Sequence, residues 1–233
     1  MITVVIPVLN EERTVGNVVE FCFAHPLVTE VLVIDDNSED NTAREARKAG
    51  ATLITSAKRG KGISMKEGVE YASNEILVFL DGDIDPYPLN TINALTEPIV
   101  QGKYDFVKAA FSRNAGRVTE LLAKPLLSLL YPDLAAFSQP LGGIIAGRKS
   151  LLQQIDFFPD YGVDIGILID MSLLKARIGE ASIGYIQNKS KPWNSLAKMS
   201  TEVAGAILYK AMRPDIQYPV SSNVRSLIKK PEW

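Results

Sequence analysis

Strand-like and helix-like segments alternate through the first 80 residues of this chain, and that order restricts the fold more than any other feature. Residues 2–9, 30–34, 51–55 and 76–80 are short apolar runs of the kind that form buried parallel strands. Between them lie helical patterns. Val15, Val18, Val19 and Cys22 recur at helical spacing and are stopped by Pro26. Residues 41–49 read as a short polar helix closed by Gly50. Met65, Val69 and Ala72 share one face of a third helix. Alternation of this kind predicts an α/β fold, a mostly parallel sheet flanked by helices.

In such sheets ligands gather in the crevice beyond the strands' carboxyl ends. Four polar clusters fall there: Asn10-Glu11-Glu12, Asp35-Asp36, the basic glycine loop Lys58-Arg59-Gly60-Lys61-Gly62, and Asp81-Gly82-Asp83. They are expected on one rim. Read as an extended segment, Asp81 and Asp83 leave the same face and repel each other unless a cation lies between them. A divalent cation carrying a diphosphate meets that need with hard oxygen ligands. The plain alternative is a polar loop after a strand. Asn10-Glu11-Glu12, Asp36 and Asp164 each have a second reading as helix caps.

The 233 residues are enough for one large domain: a single unit over 1–212 is expected, with 1–85 and a smaller, helical 86–212 as its halves and 213–233 as a C-terminal arm. A formal net charge of −2 argues against a partner such as nucleic acid, bound through a basic surface. Cys22 is the only cysteine, so no intrachain disulfide forms and a reducing, cytoplasmic setting is expected. His25, the only histidine, reads as a surface or capping residue. No leader and no uninterrupted apolar stretch long enough for a transmembrane helix is seen. Residues 121–141 are apolar but interrupted by Lys124, Pro125, Pro132 and Asp133, which suits a buried helix or contact with a membrane surface. Further elements are expected at 92–101 (helix), 105–111 (strand), 161–175 (helix, with Ile165, Leu168, Ile169 and Leu173 inward) and 181–186 (strand).

The strings Val5-Ile6-Pro7-Val8-Leu9-Asn10-Glu11-Glu12, Val33-Ile34-Asp35-Asp36-Asn37-Ser38 with Asp40, and Asp81-Gly82-Asp83 resemble the family 2 glycosyltransferases, which have the GT-A fold and use nucleotide-diphosphate sugars. Gly116-Arg117-Val118-Thr119-Glu120-Leu121, Gln139-Pro140-Leu141-Gly142-Gly143 and Tyr161-Gly162-Val163-Asp164-Ile165 resemble the glucosyl- and mannosyl-3-phosphoglycerate synthases within it. Those are retaining enzymes that join a sugar to the 2-hydroxyl of 3-phosphoglycerate, and they are often dimers. Three positions depart from the pattern. Asn188 stands where the family has a metal-binding histidine, Ile144 where it has a glutamate, and Asp164 where it has another.

The resemblance implies a division of labour. Pro7, Val8, Leu9 and Glu11 would wall the base and ribose, with Asp36 accepting a hydrogen bond from the uracil or ribose. Lys61 would neutralise the diphosphate, Gly60 and Gly62 letting backbone come close to it. Asp83, with Asn188, would hold Mg2+ or Mn2+, and Asp81 beside Gly82 would contact the ribose or a metal-bound water. Gly116, Arg117, Thr119 and Tyr161 would hold the acceptor's anionic groups, Arg117 having pairing with Glu120 as its alternative. Asp164 would orient a sugar or acceptor hydroxyl. No carboxylate stands out as a nucleophile, which favours front-face attack with the leaving diphosphate as base. Three rival readings stand beside it: a polyprenyl-phosphate acceptor, a non-catalytic nucleotide-sugar-binding protein, and a nucleotidyltransferase.

Overall fold

The computed structural model describes residues 1–112, 116–187 and 193–212. Four parallel strands open the chain: β1 (Ile2–Val8), β2 (Val28–Asp35), β3 (Thr52–Thr55) and β4 (Ile76–Phe79). Their connections are the helices α1 (Val15–Phe23), α2 (Thr42–Lys48) and α3 (Lys61–Tyr71). The chain continues through α4 (Thr91–Val100), β5 (Phe106–Ser112), α5 (Lys124–Leu130), β6 (Ile145–Arg148), α6 (Lys149–Leu152), α7 (Val163–Leu173), β7 (Ile178–Tyr185) and α8 (Trp193–Ala211). All seven strands join one sheet in the order β3-β2-β1-β4-β6-β5-β7. Only β6 runs antiparallel to its neighbours, between β4 and β5. The later half supplies three of the seven strands, two of them where strands were expected, near 105–111 and 181–186.

Alternate strand residues feed two cores, as a period of two requires. Val4 and Ile6 pack with Val18 and Val19 of α1 and Leu95 of α4 on one face. Val5, Leu77 and Phe79 pack with Met65 of α3 and with α5, α7 and α8 on the other. Burying each such side chain contributes roughly 1.5–3 kcal/mol. Cys22 lies in the first core, and burial pushes its thiol up.

Three expectations change. α7 has no polar face, because every residue from Val163 to Met171 is buried. It packs on α8 and α3 within the second core, and its two buried aspartates, Asp164 and Asp170, are each paired with a lysine. The apolar stretch 121–141 is helical only as far as Leu130; Tyr131 leaves helical geometry, and a 3-10 turn, Pro132–Leu134, follows. Among the described residues no helix is long and apolar enough to cross a membrane. Finally, α8 packs on α7 although no helix was expected there. Its buried Lys210 places Nζ 2.7 Å from Asp170 Oδ2. Losing one partner of such a pair costs about 3–5 kcal/mol, so the pair fixes how α8 sits on α7.

Candidate active site

The turns after β1, β2 and β4 are tied together before any ligand is considered. Asn10 and Asn37 adopt left-handed backbone conformations (φ 59° and 64°), which short amide side chains tolerate. Asn10 N–H donates to Ser38 Oγ (2.9 Å), and Glu39 N–H donates to Asn10 Oδ1 (2.8 Å). Glu12 accepts from the Asn41 backbone at 3.0 Å. Thr14 Oγ1 donates to the Gly82 carbonyl at 2.7 Å, joining the start of α1 to the Asp81–Asp83 turn.

These bonds overturn the capping alternatives. α1 starts at Val15 with Thr14 at its N-cap, so the acids at 11 and 12 do not cap it. The N-cap of α2 is Asn41, not Asp36. Asp36 instead accepts the Gly60 N–H with both oxygens (2.9 and 3.0 Å). Burial pushes the Asp36 carboxyl up, opposed by that N–H. The N-cap of α7 is Gly162, and Asp164 sits in the first turn facing Lys61.

Lys61 is the centre of the site. As the first residue of α3, it reaches Asp81 Oδ1 at 3.1 Å and Asp164 Oδ2 at 3.0 Å. Burial opposes its charge, but Asp164 and Asp81 outweigh that and hold the ammonium well above its ordinary range. Asp164 is 3% exposed, and its Oδ1 has no hydrogen-bond partner among the described residues. The Gly142-Gly143 turn covers this group: a β-carbon at Gly143 would lie 2.5 Å from Lys61 Nζ and 2.9 Å from Asp81 Oδ1.

The glycines of the basic loop also serve a contact within the chain. A β-carbon at Gly60 would lie 2.3 Å from the Pro159 carbonyl, and one at Gly62 would lie 1.6 Å from the Phe158 carbonyl. Gly60 also has φ 146°. Their missing side chains let the segment before α7 close onto α3, which brings Asp164 to Lys61. Residues 82–83 form a turn, so the extended geometry assumed for the two aspartates does not hold.

One cavity of about 720 Å3 collects these groups. Pro7, Val8, Leu9, Glu11, Asp36, Lys61, Asp81, Gly82 and Asp83 line it from the strand ends, and Gly116, Arg117, Thr119, Tyr161 and Asp164 from the other half. Arg117 does not pair with Glu120, which is held by Lys124 at 2.6 Å. It precedes a π-helical turn, Thr119–Ala123, a wide turn often found at functional sites. Asn188 and the arm 213–233 lie outside the described residues. Asp83 faces the cavity, and no group of three metal-binding side chains occurs among the described residues. That donor set fits a hard cation held by one or two carboxylates together with substrate phosphates, as Mg2+ commonly is.

Sequence reasoning missed Leu196, Lys198, Met199 and Glu202 of α8, which also line the cavity. Their spacing with Val203 and Ile207 is the helical signal that was available. It also missed Lys108, a buried residue of β5 whose Nζ donates to the Gly142 carbonyl at 2.8 Å. Burial pushes Lys108 down to about 8; Asp164, Glu180 and Asp81 oppose this, and Lys61 adds to it. Between that value and the ordinary 10.5, the unfolded chain binds a proton that the folded one does not. Stability relative to Lys108→Met should therefore rise with pH across this window, by on the order of 3 kcal/mol at most. Below the window the difference should be flat; urea unfolding of both proteins across it measures this.

A mostly parallel sheet with acidic turns, a lysine and an arginine converging beyond its strand ends suits an anionic, cation-bound ligand, the arrangement implied by the resemblance to the GT-A glycosyltransferases. The chain belongs to glycosyl transferase family 2, whose model matches residues 3–144. It is 35% identical to the glucosyl-3-phosphoglycerate synthase of Mycolicibacterium smegmatis, over 89% of this chain and 76% of that protein. With the enzyme of the same name from Petrotoga mobilis the identity is 32%, over 89% and 72%. The crystal structure of the Mycobacterium tuberculosis glucosyl-3-phosphoglycerate synthase with Mn2+, UDP-glucose and phosphoglyceric acid matches with a TM-score of 0.86 at 34% identity, covering 92% of this chain and 81% of that one.

Proposed function

We propose that this glycosyltransferase moves glucose from UDP-glucose to the 2-hydroxyl of 3-phosphoglycerate, with retention and with Mg2+ or Mn2+. The observation that carries the reading is the single cavity in which Asp83, the Lys61–Asp81–Asp164 group and Arg117 meet. Its support from relatives is the complex of the Mycobacterium tuberculosis enzyme with Mn2+, UDP-glucose and phosphoglyceric acid. A cytoplasmic setting suits the substrates and the one buried, reduced cysteine.

Pro7, Val8, Leu9 and Glu11 wall the nucleoside, and Lys61 lies beside the diphosphate. Asp83 holds the cation, which when bound takes up charge developing on the departing diphosphate. Asp164, which lines the cavity beside Lys61, orients a hydroxyl of the sugar or of the acceptor. Arg117 grips the acceptor's phosphate or carboxylate, with Thr119 and Tyr161 beside it. The acceptor hydroxyl gives its proton to the leaving diphosphate oxygen. The bond from the anomeric carbon to that oxygen breaks as the new glycosidic bond forms on the same face.

The test is incubation with labelled UDP-glucose, 3-phosphoglycerate and Mn2+. An anionic glucosyl product plus UDP is expected. Label moving only into an organic phase with a polyprenyl phosphate would replace the acceptor. Pyrophosphate release would indicate nucleotidyl transfer, and no turnover would indicate a binding protein. Arg117→Ala should raise the acceptor's KM at least about tenfold while leaving the donor's within about twofold, because a charged hydrogen bond is worth roughly 1.5–3 kcal/mol. Steady-state kinetics with each substrate varied in turn decides; equal effects on both would count against an acceptor role.

A further inference from the structure

We infer that Trp193 is a positioning residue for the acceptor site, holding the Arg117 guanidinium in place by stacking on it. The inference rests on the acceptor role proposed for Arg117. The Arg117 guanidinium carbon lies 4.8 Å from the centre of the Trp193 ring. Arg117 lines the cavity and Trp193 does not, so the indole backs the guanidinium from outside. Trp193 is 69% exposed, so the ring is not held as part of the core and is available to the guanidinium.

The choice of partner matters chemically. A carboxylate behind Arg117 would neutralise its charge and occupy the N–H groups that an anionic acceptor needs. Glu120, the acid available three residues along, is instead held by Lys124. An aromatic face takes the flat side of the guanidinium and leaves the in-plane N–H edges directed outward. Arginine carries large side-chain entropy, and stacking removes part of it before the ligand arrives. Trp193 is the first residue of α8, and Leu196, Lys198 and Met199 of the same helix line the cavity. The stack therefore ties the acceptor-side arginine to the helix that closes that side of the site.

The experiment compares Trp193→Leu, Trp193→Phe and Arg117→Ala, singly and with the tryptophan changes placed in the Arg117→Ala background. The readouts are kcat and the KM values for 3-phosphoglycerate and UDP-glucose, with the melting temperature as a control for folding. Trp193→Leu should raise the 3-phosphoglycerate KM about two- to fivefold, the span of an exposed cation–π contact, and leave kcat and the UDP-glucose KM unchanged. Trp193→Phe, which keeps an aromatic face, should recover most of the loss. In the Arg117→Ala background Trp193→Leu should have no further effect. An unchanged acceptor KM in Trp193→Leu, or the same rise with and without Arg117, overturns the inference while leaving the acceptor role of Arg117 standing. If Arg117→Ala itself leaves the acceptor KM unchanged, the underlying reading fails, and the positioning role fails with it.

Discussion

Lys61→Met should cut transfer by roughly 10²–10³-fold and lower the melting temperature by roughly 10 °C, the latter because the change leaves Asp164 buried without its cation. Asp164 is 3% exposed and depends on Lys61 at 3.0 Å. Leaving one member of a buried pair alone costs about 3–5 kcal/mol. Loss of the charge beside the diphosphate should separately reduce kcat by roughly 10²–10³-fold, the usual effect of removing one electrostatic stabiliser. The two effects can be parted with the double variant Lys61→Met/Asp164→Asn. It removes both charges, so thermal melting should return most of the way towards the parent while transfer stays as low as in the single variant. A single Lys61→Met protein that melts normally would show that the pair is not buried as described.

Asp83→Ala should have the opposite profile: transfer falls by at least about 10³-fold, with little change in melting temperature. The side chain is exposed at the cavity mouth, so its loss leaves no hole in the core. Melting in the presence of UDP-glucose offers a second readout. In the parent, Mn2+ should increase the stabilisation by donor through mass action; in the variant that increment should vanish. Activity surviving in Asp83→Ala, still sensitive to chelator, would place the cation elsewhere.

The rim of the site was legible because each part follows a strand. An apolar run ending in Asp-Asp or Asp-Gly-Asp states its direction and its end, and parallel topology then brings the ends together. The observed limits of β1 to β4 differ from the expected ones by one or two residues. The interior was less legible because its partners are remote in sequence. β6 enters the sheet between β4 and β5, and nothing in its four residues says which neighbours it will have. α8 carries Lys210 in its last turn, a charge on the face that packs inward; only Asp170, 40 residues away, makes it intelligible. Lys108 looked like an ordinary strand residue until the Gly142 carbonyl closed over it. The loop glycines were recognised as necessary, but their close approach to Phe158 and Pro159 is a tertiary contact that the local sequence does not state.

The antiparallel insertion of β6 has a bearing on how such enzymes can be cut and recombined. A fragment ending near residue 85 would leave β4 with a bare hydrogen-bonding edge where β6 belongs, and such edges invite aggregation. The first 85 residues are thus not a portable cassette. Exchanging the outer helix that begins at Trp193, four of whose residues line the cavity, leaves that edge covered and is the less disruptive cut.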